Sequence, residues 1–246
     1  MIISYYKKFV YLRTIKVASS SLEFYLSEFC ENEDIITPLD YEEEKLKKKY
    51  NFPLTQNNKL KKFSLSIKNI LRFKIYSNKR IHEHSSIDQI SSKKIKQKIS
   101  NFFFFTFVRN PFDWIVSYFW WYLYHNDKKS VSYLNSLNSK KINFLFKKFM
   151  KNESKFFFNS NKNIVTSRNF KIKVFKLENF QKSIKFIKKK LNLKNEKKKI
   201  DDLKLKSLKI KKKIKLDVED VDMILRNGSF FFETFKYSRK IPTKYR

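Results

Sequence analysis

Residues 101–111 read NFFFFTFVRNP and decide the fold. The run Asn101 to Val108 is apolar at nearly every position, so both of its faces can be buried, as in a central strand of a parallel sheet. After Arg109, Asn110 can cap a helix and Pro111 suits the first helical position. The aromatic residues that follow, to about Tyr124, continue that helix. This stretch therefore predicts a buried strand, a tight turn and a helix.

An earlier segment repeats the same order. Phe9 to Leu12 (FVYL) predicts a first buried strand, and residues 14–19 predict a turn. The helix that follows is expected over Ser20 to Phe29, where Ser20 and Glu23 fit the S-x-x-E capping box. Residues Met1 to Lys8, before this strand, are polar and too short to be a signal peptide.

A third unit lies in the second half of the chain. Lys171 to Lys176 (KIKVFK) alternates as a strand does, and Phe180, Ile184, Ile187 and Leu191 recur at helical spacing. Asp217 can cap a further helix through Arg226, and the aromatic tail Phe230 to Tyr237 is expected to pack on the core. Alternating strands and helices predict one α/β domain over residues 1–246, with a mainly parallel sheet flanked by helices. The Lys-rich segments 40–80 and 194–215 are interpreted as irregular.

Composition limits the class of protein. The chain has 56 Lys+Arg against 23 Asp+Glu and a net charge of +33, yet its 41% hydrophobic content excludes a disordered polybasic tail. One Cys and three His exclude a disulfide scaffold and leave no set of metal ligands, so no metal is predicted. Only 8 of the basic residues are Arg, and the excess of Lys, Asn, Ile and Phe matches an AT-rich codon bias. An Arg within an apolar segment is therefore informative, and a preference for polyanions remains the alternative source of the charge.

No run of the sequence approaches the roughly 18 apolar residues of a membrane span. The expected location is the cytoplasm. The alternative is a membrane-associated or Golgi-type enzyme whose anchor is missing from this chain.

Two turns carry the residues that could bind anions. In open parallel sheets, ligands bind at the carboxyl ends of the strands, where helix N-termini offer free N–H groups. The first turn places Lys16 before Ser19, Ser20 and Ser21, which suits a phosphate or sulfate, although the glycines of G-x-x-x-x-G-K-[ST] are missing. The alternative is a surface Lys before a Ser cap.

The second turn places Arg109 at the strand end and Ser117 two turns into the helix, which suits a second phosphate. The alternative is an ion pair between Arg109 and Asp113.

Both turns resemble the donor-binding motifs of sulfotransferases. FVYLRTIKVASSSL, residues 9–22, is similar to the 5′-phosphosulfate loop P-K-[TA]-[AG]-[ST]-[ST]-[ST], with Ile15 in place of Pro and Val17 in place of Thr or Ala. FFFTFVRNPFDWIVSY, residues 103–118, closely resembles the 3′-phosphate motif F-x-F-V-R-N-P-[FYW]-[DE]-x-x-x-S-x-[YF]. Their order and a separation of about 90 residues resemble the carbohydrate branch of the family. Val174 to Glu178 and Phe232 to Tyr237 resemble two further family segments more loosely.

The resemblance implies a P-loop-like fold and the donor 3′-phosphoadenosine 5′-phosphosulfate. Lys16, Ala18 and Ser19 to Ser21 would hold the 5′-phosphosulfate, and Lys16 would also neutralise the leaving oxygen. Arg109 and Ser117 would hold the 3′-phosphate. The acceptor would be a hydroxyl of a glycan or glycoconjugate, with no metal and no specific nucleic acid.

An acceptor hydroxyl needs a base. The segment Ile81-His82-Glu83-His84-Ser85-Ser86 resembles the H-x-[HS]-S segment of polysaccharide sulfotransferases, so His84 or His82 is the expected base, with Glu83 as the third candidate. Glu178 is a further carboxylate that could serve if neither His does. His125 is interpreted as a residue of a helix C-terminus.

Three alternatives remain open at this point. They are a polyanion-binding or nucleic-acid-binding protein that uses the Lys runs at 45–49 and 197–213, a kinase-like phosphotransferase, and an inactive member of the sulfotransferase family.

Overall fold

A five-stranded sheet forms the centre of the computed structural model, which describes residues 1–58, 83–90, 92–194 and 208–246. The strands are β1 (Ile2–Ser4), β2 (Phe9–Tyr11), β3 (Ile35–Ile36), β4 (Phe103–Val108) and β5 (Ile172–Lys176), in the order β3-β1-β2-β4-β5. β2, β4 and β5 pair in parallel, whereas β1 runs antiparallel to both β2 and β3. Four of these five strands therefore point the same way, and the predicted mainly parallel α/β sheet is confirmed.

The sheet separates two apolar cores. Phe105 and Phe107 of β4 face the larger core, whereas Phe104 faces the smaller one. β2 alternates in the same way, because successive side chains of a strand point to opposite faces. Burial on both faces explains why five of the six residues of β4 are apolar, and the buried Thr106 donates its hydroxyl to the Leu12 carbonyl.

Nine α-helices occur in the described part of the chain. They are α1 (Ser19–Ser27), α2 (Tyr41–Lys49), α3 (Lys93–Lys98), α4 (Pro111–His125), α5 (Val131–Ser136), α6 (Ser139–Val165), α7 (Phe180–Leu191), α8 (Val218–Asn227) and α9 (Ser229–Phe235). Short 3₁₀ turns lie at Ile87–Gln89, Leu177–Asn179 and Thr243–Tyr245.

The predicted start of α4 is confirmed. The Asn110 side chain accepts a hydrogen bond of 3.0 Å from the Phe112 N–H, and Pro111 is the first helical residue. α7 and α8 are also confirmed, and Asp217 caps α8 as expected. The aromatic tail forms α9 and packs inward: the Phe231 ring lies 5.1 Å from that of Trp114, and the Phe232 ring lies 5.5 Å from that of Phe112.

The predicted capping box of α1 is wrong. The helix begins at Ser19, and its N-cap is Ala18 in the left-handed region, with no side-chain cap. The Ser20 hydroxyl instead donates to the Glu43 carboxylate, and Glu23 pairs with Arg13 at 3.4 Å. Buried charges of α2 and of the segment after β2, Glu43 and Arg13, thus draw both side chains away from the helix end.

Two further expectations need correction, and one long helix was not expected. Residues 2–4, within the segment expected to be polar, form the buried strand β1. The Lys-rich start of segment 40–80 is a regular helix, α2, which Asp40 caps by accepting from the Glu43 N–H at 2.8 Å. The 27-residue helix α6 had no counterpart in the sequence prediction.

Parts of both Lys-rich segments, residues 59–82 and 195–207, lie outside the described residues. Residues 208–215 form neither helix nor strand, as expected, although Ile214 is buried. Among the described residues, no helix combines the length and the apolar character needed to cross a membrane.

Candidate functional site

The carboxyl ends of β2 and β4 meet at one edge of the sheet. Beyond the last paired residues, the Leu12 N–H donates to the Phe105 carbonyl at 3.0 Å, and the Thr106 hydroxyl donates to the Leu12 carbonyl at 2.7 Å. The Thr14 hydroxyl then donates to the Phe107 carbonyl at 2.5 Å. The loop after β2 and the turn after β4 therefore leave the sheet side by side.

The loop after β2, residues 14–18, has an unusual backbone. Lys16 has φ 61° and Ala18 has φ 58°, both in the left-handed region that side chains disfavour. Two contacts hold the loop in place: the Ile15 N–H donates to Asn161 of α6 at 2.9 Å, and the Trp114 indole N–H of α4 donates to the Ile15 carbonyl. Non-glycine residues in this region persist only where neighbouring structure fixes them, and such strain clusters at functional sites.

The loop leads directly into the N-terminus of α1. The first N–H groups of any helix lack an acceptor within the helix, and α1 has no side-chain cap to replace one. Ser19 is buried, and Ser20 is turned towards Glu43, so the backbone of this turn is its clearest source of donors. The Lys16 ammonium lies 6.0 Å from the centre of the Trp121 ring of α4.

Arg109 and Ser117 are both half-buried on the β4–α4 unit. The expected alternative, an Arg109–Asp113 pair, is wrong because Asp113 pairs with Lys244 at 2.8 Å. Among the described residues, no carboxylate lies within ion-pair distance of Arg109. Burial and the Glu178 carboxylate raise the pKa of the Tyr237 hydroxyl, and the charge of Arg109 opposes that rise.

Glu178, which follows β5, closes the same edge. One oxygen of its carboxylate accepts the Asn110 N–H at 2.6 Å, and the other accepts the Tyr237 hydroxyl at 2.9 Å. Because both oxygens hold the start of α4 and the C-terminal segment in place, Glu178 has a structural role here.

His84 lies at the end of β2, next to the loop. Its Nδ1 is 2.9 Å from the Arg13 carbonyl oxygen. A carbonyl can only accept, so we assign the proton to Nδ1, and Nε2 then carries the lone pair. Burial, together with the positive charge of Arg13, lowers the pKa of His84 to about 3, so the ring is neutral at ordinary pH.

Glu83 is the neighbouring candidate. Its Oε1 lies 3.7 Å from His84 Nε2, and burial raises the pKa of the Glu83 carboxyl. His82 lies outside the described residues. His125 is the last residue of α4, as expected, with its ring 4.8 Å from that of Trp121.

Sequence reasoning missed Arg13 as a residue of this site. Its side chain is buried and lies between the carboxylates of Glu23, Glu43 and Glu83, at 3.4, 3.0 and 3.0 Å. The available signal was an Arg at the end of an apolar strand, in a chain that otherwise uses Lys.

A cavity of about 180 Å³ lies apart from these residues, where Lys155 and Lys162 of α6 face Arg226 of α8.

Comparisons with protein-family models, curated proteins and solved structures found no match for this chain.

Proposed function

We propose that this protein is a sulfotransferase that moves a sulfuryl group from 3′-phosphoadenosine 5′-phosphosulfate to a hydroxyl of a carbohydrate or glycoconjugate. One observation carries the proposal: Lys16 and Arg109 follow the ends of two adjacent parallel strands, each beside the start of a helix. A donor with phosphate groups at two positions requires two such cationic turns.

The loop after β2 is the proposed site for the 5′-phosphosulfate. Lys16 and Ala18 have positive φ and Val17 between them does not, an alternation that is typical of backbone concavities that bind anions. The N-terminus of α1 adds the positive end of a helix dipole. Lys16 supplies a full charge at the same place. These features support a P-loop-like fold whose loop contains no glycine.

Arg109 is the proposed partner of the 3′-phosphate. A guanidinium without a carboxylate partner among the described residues is available to a phosphate, with which it forms two parallel hydrogen bonds. Ser117 would donate a further, neutral bond.

The reaction follows from these assignments. Nε2 of neutral His84 takes the proton of the acceptor hydroxyl, whose oxygen forms a bond to sulfur. The bond between sulfur and the bridging phosphate oxygen breaks, and Lys16 stabilises the charge on that leaving oxygen. The imidazolium then returns its proton to solvent.

A polyanion-binding protein without catalysis is the second candidate. The net charge of +33 favours it, as do exposed lysines along α7, such as Lys182, Lys185 and Lys189. Such a protein has no need of two separate phosphate sites.

Thermal unfolding with added ligands separates the two candidates. A ligand at 100 times its Kd stabilises the folded state by about 2.7 kcal/mol. We expect adenosine 3′,5′-bisphosphate to raise the Tm more than ATP or a short oligonucleotide does. The largest shift with the oligonucleotide would favour the second candidate, and transfer of labelled sulfate to a panel of glycans would then test the reaction itself.

A further inference from the structure

Arg13 is the centre of a buried network of charges that joins four parts of the fold. Its guanidinium contacts Glu23 of α1, Glu43 of α2 and Glu83, which lies in the turn that precedes the 3₁₀ turn at Ile87–Gln89. Its own backbone carbonyl, at the end of β2, holds Nδ1 of His84 at 2.9 Å. The same residue thus binds the turn that carries His84 through both its side chain and its main chain.

The network needs a guanidinium. Arg13 is only 5% exposed, and Glu23 and Glu43 are 0% and 3% exposed, so each charge depends on its partners rather than on water. Arg presents five N–H donors in a rigid plane, whereas the ammonium of Lys is a single point on a flexible stem. A Lys at this position keeps the charge, but its single nitrogen would have to replace two guanidinium nitrogens, of which Nη1 contacts Glu23 and Glu83 and Nη2 contacts Glu43.

Two other buried groups complete the charge balance. Lys47 of α2 is 0% exposed, and the Met1 ammonium lies 3.5 Å from Glu23. Burial lowers the pKa of both cations.

We propose that Arg13 is a positioning residue for the transfer step: its guanidinium clamps Glu23, Glu43 and Glu83, and its carbonyl thereby fixes the tautomer and orientation of His84 beside the loop that carries Lys16. This inference rests on the proposed function, in which His84 is the base. Arg13 itself touches no reacting atom.

The experiment compares Arg13→Lys and Glu43→Gln with the matched control Glu42→Gln. Glu42 is exposed on the same helix as Glu43, so its variant makes the same chemical change outside the network. Long-range ¹H–¹⁵N spectra report the tautomer and pKa of His84, and the chain has only 3 His to assign. Turnover, the KM for the donor and the pH–rate profile are measured on the same samples.

For the wild type and the control, we expect the Nδ1–H tautomer and no titration of His84 near neutral pH. For Arg13→Lys, we expect a mixture of tautomers, a kcat lower by about 10- to 100-fold, and a donor KM within about twofold of wild type. An ascending limb should also emerge near the ordinary imidazole pKa of about 6.5, which a mere loss of stability does not produce. Glu43→Gln should show the loss of turnover and the mixed tautomer as well. It keeps two of the three carboxylates, so it carries the test if Arg13→Lys does not fold.

Three results would count against the proposal or separate it from the proposed function. The proposal is overturned if His84 is an Nε2–H tautomer in the wild type. It also fails if both network variants keep the wild-type tautomer and kcat while His84→Ala is inactive, and in that case the proposed function stands. If the wild type transfers no sulfate at all, the proposed function fails, and the tautomers of the variants alone decide whether Arg13 positions His84.

Discussion

Replacing Asn161 with Ala removes a side chain that holds the loop after β2, residues 14–18, in place. Asn161 is fully buried in α6, and its Oδ1 accepts the Ile15 N–H at 2.9 Å. Its amide nitrogen also donates to the Phe157 carbonyl at 3.0 Å, within the same helix. The alanine variant therefore leaves the Ile15 N–H without its partner, at the start of the strained loop.

The structure sets the size of the effect. A buried donor left without an acceptor costs about 1–3 kcal/mol, so the free energy of unfolding should fall by that amount. If about 1 kcal/mol of this loss falls on the loop, the population of its binding conformation decreases, and the Kd for adenosine 3′,5′-bisphosphate should rise by up to about fivefold. Urea unfolding measures the first quantity and titration calorimetry the second.

The control is Asn163→Ala, because Asn163 is exposed on the same helix. It should leave both quantities unchanged. If Asn161→Ala loses stability but binds the bisphosphate as tightly as the control, Asn161 supports only the core. The reasoning that its contact with Ile15 keeps the loop in its binding conformation is then refuted.

The other predictions concern the residues of the site itself. Arg109→Ala should weaken adenosine 3′,5′-bisphosphate binding by about 2–4 kcal/mol. The control Arg226→Ala, on α8, should leave binding unchanged. If the two variants bind the bisphosphate equally well, Arg109 is not part of the site. Lys16→Ala should lower kcat more than it raises the donor KM, because charge on the leaving oxygen grows in the transition state; a loss confined to KM would contradict that role. His84→Ala should lose about 10²- to 10⁴-fold in kcat without losing affinity for the bisphosphate. Since the pKa of His84 is lowered to about 3, the wild-type rate should show no ascending limb near the usual imidazole pKa, and such a limb would identify another base. The same lowered pKa affects stability. His84 stabilises the fold above the pKa that its imidazole has in the unfolded chain, and this contribution decreases as the pH falls below that value. Urea unfolding of His84→Ala at two pH values checks this.

Local signals predicted the units around β4 and β5. The cap at Asn110, the proline at position 111 and the apolar run before them act within a few residues of each other, so their effect is visible in the sequence. The helical spacing of α7 is equally local.

The parts that sequence reasoning missed depend on distant contacts. β1 is only three residues long, and it is a strand because β2 and β3 pair with its two edges. The pattern at Ser20 and Glu23 fits a capping box, but Arg13 and Glu43 bind these side chains more strongly. The Arg13–His84 contact joins residues 71 positions apart, so no local pattern could have indicated it. His84 was predicted as a candidate base from a motif alone, and its surroundings came only from the fold.

The backbone of the loop after β2 has a consequence for how the protein could be changed. The chain has 1 Gly, at position 228, so Lys16 and Ala18 adopt a conformation that costs an L-residue roughly 1–2 kcal/mol. A loop with glycine at these two positions would adopt positive φ angles without support from neighbouring helices, because glycine has no Cβ. In this protein the loop conformation depends on α4 and α6, whose Trp114 and Asn161 side chains hydrogen-bond to the Ile15 carbonyl and N–H. The loop is consequently not a portable module: transplanted into another scaffold without Trp114 and Asn161, residues 14–18 would relax to ordinary backbone angles.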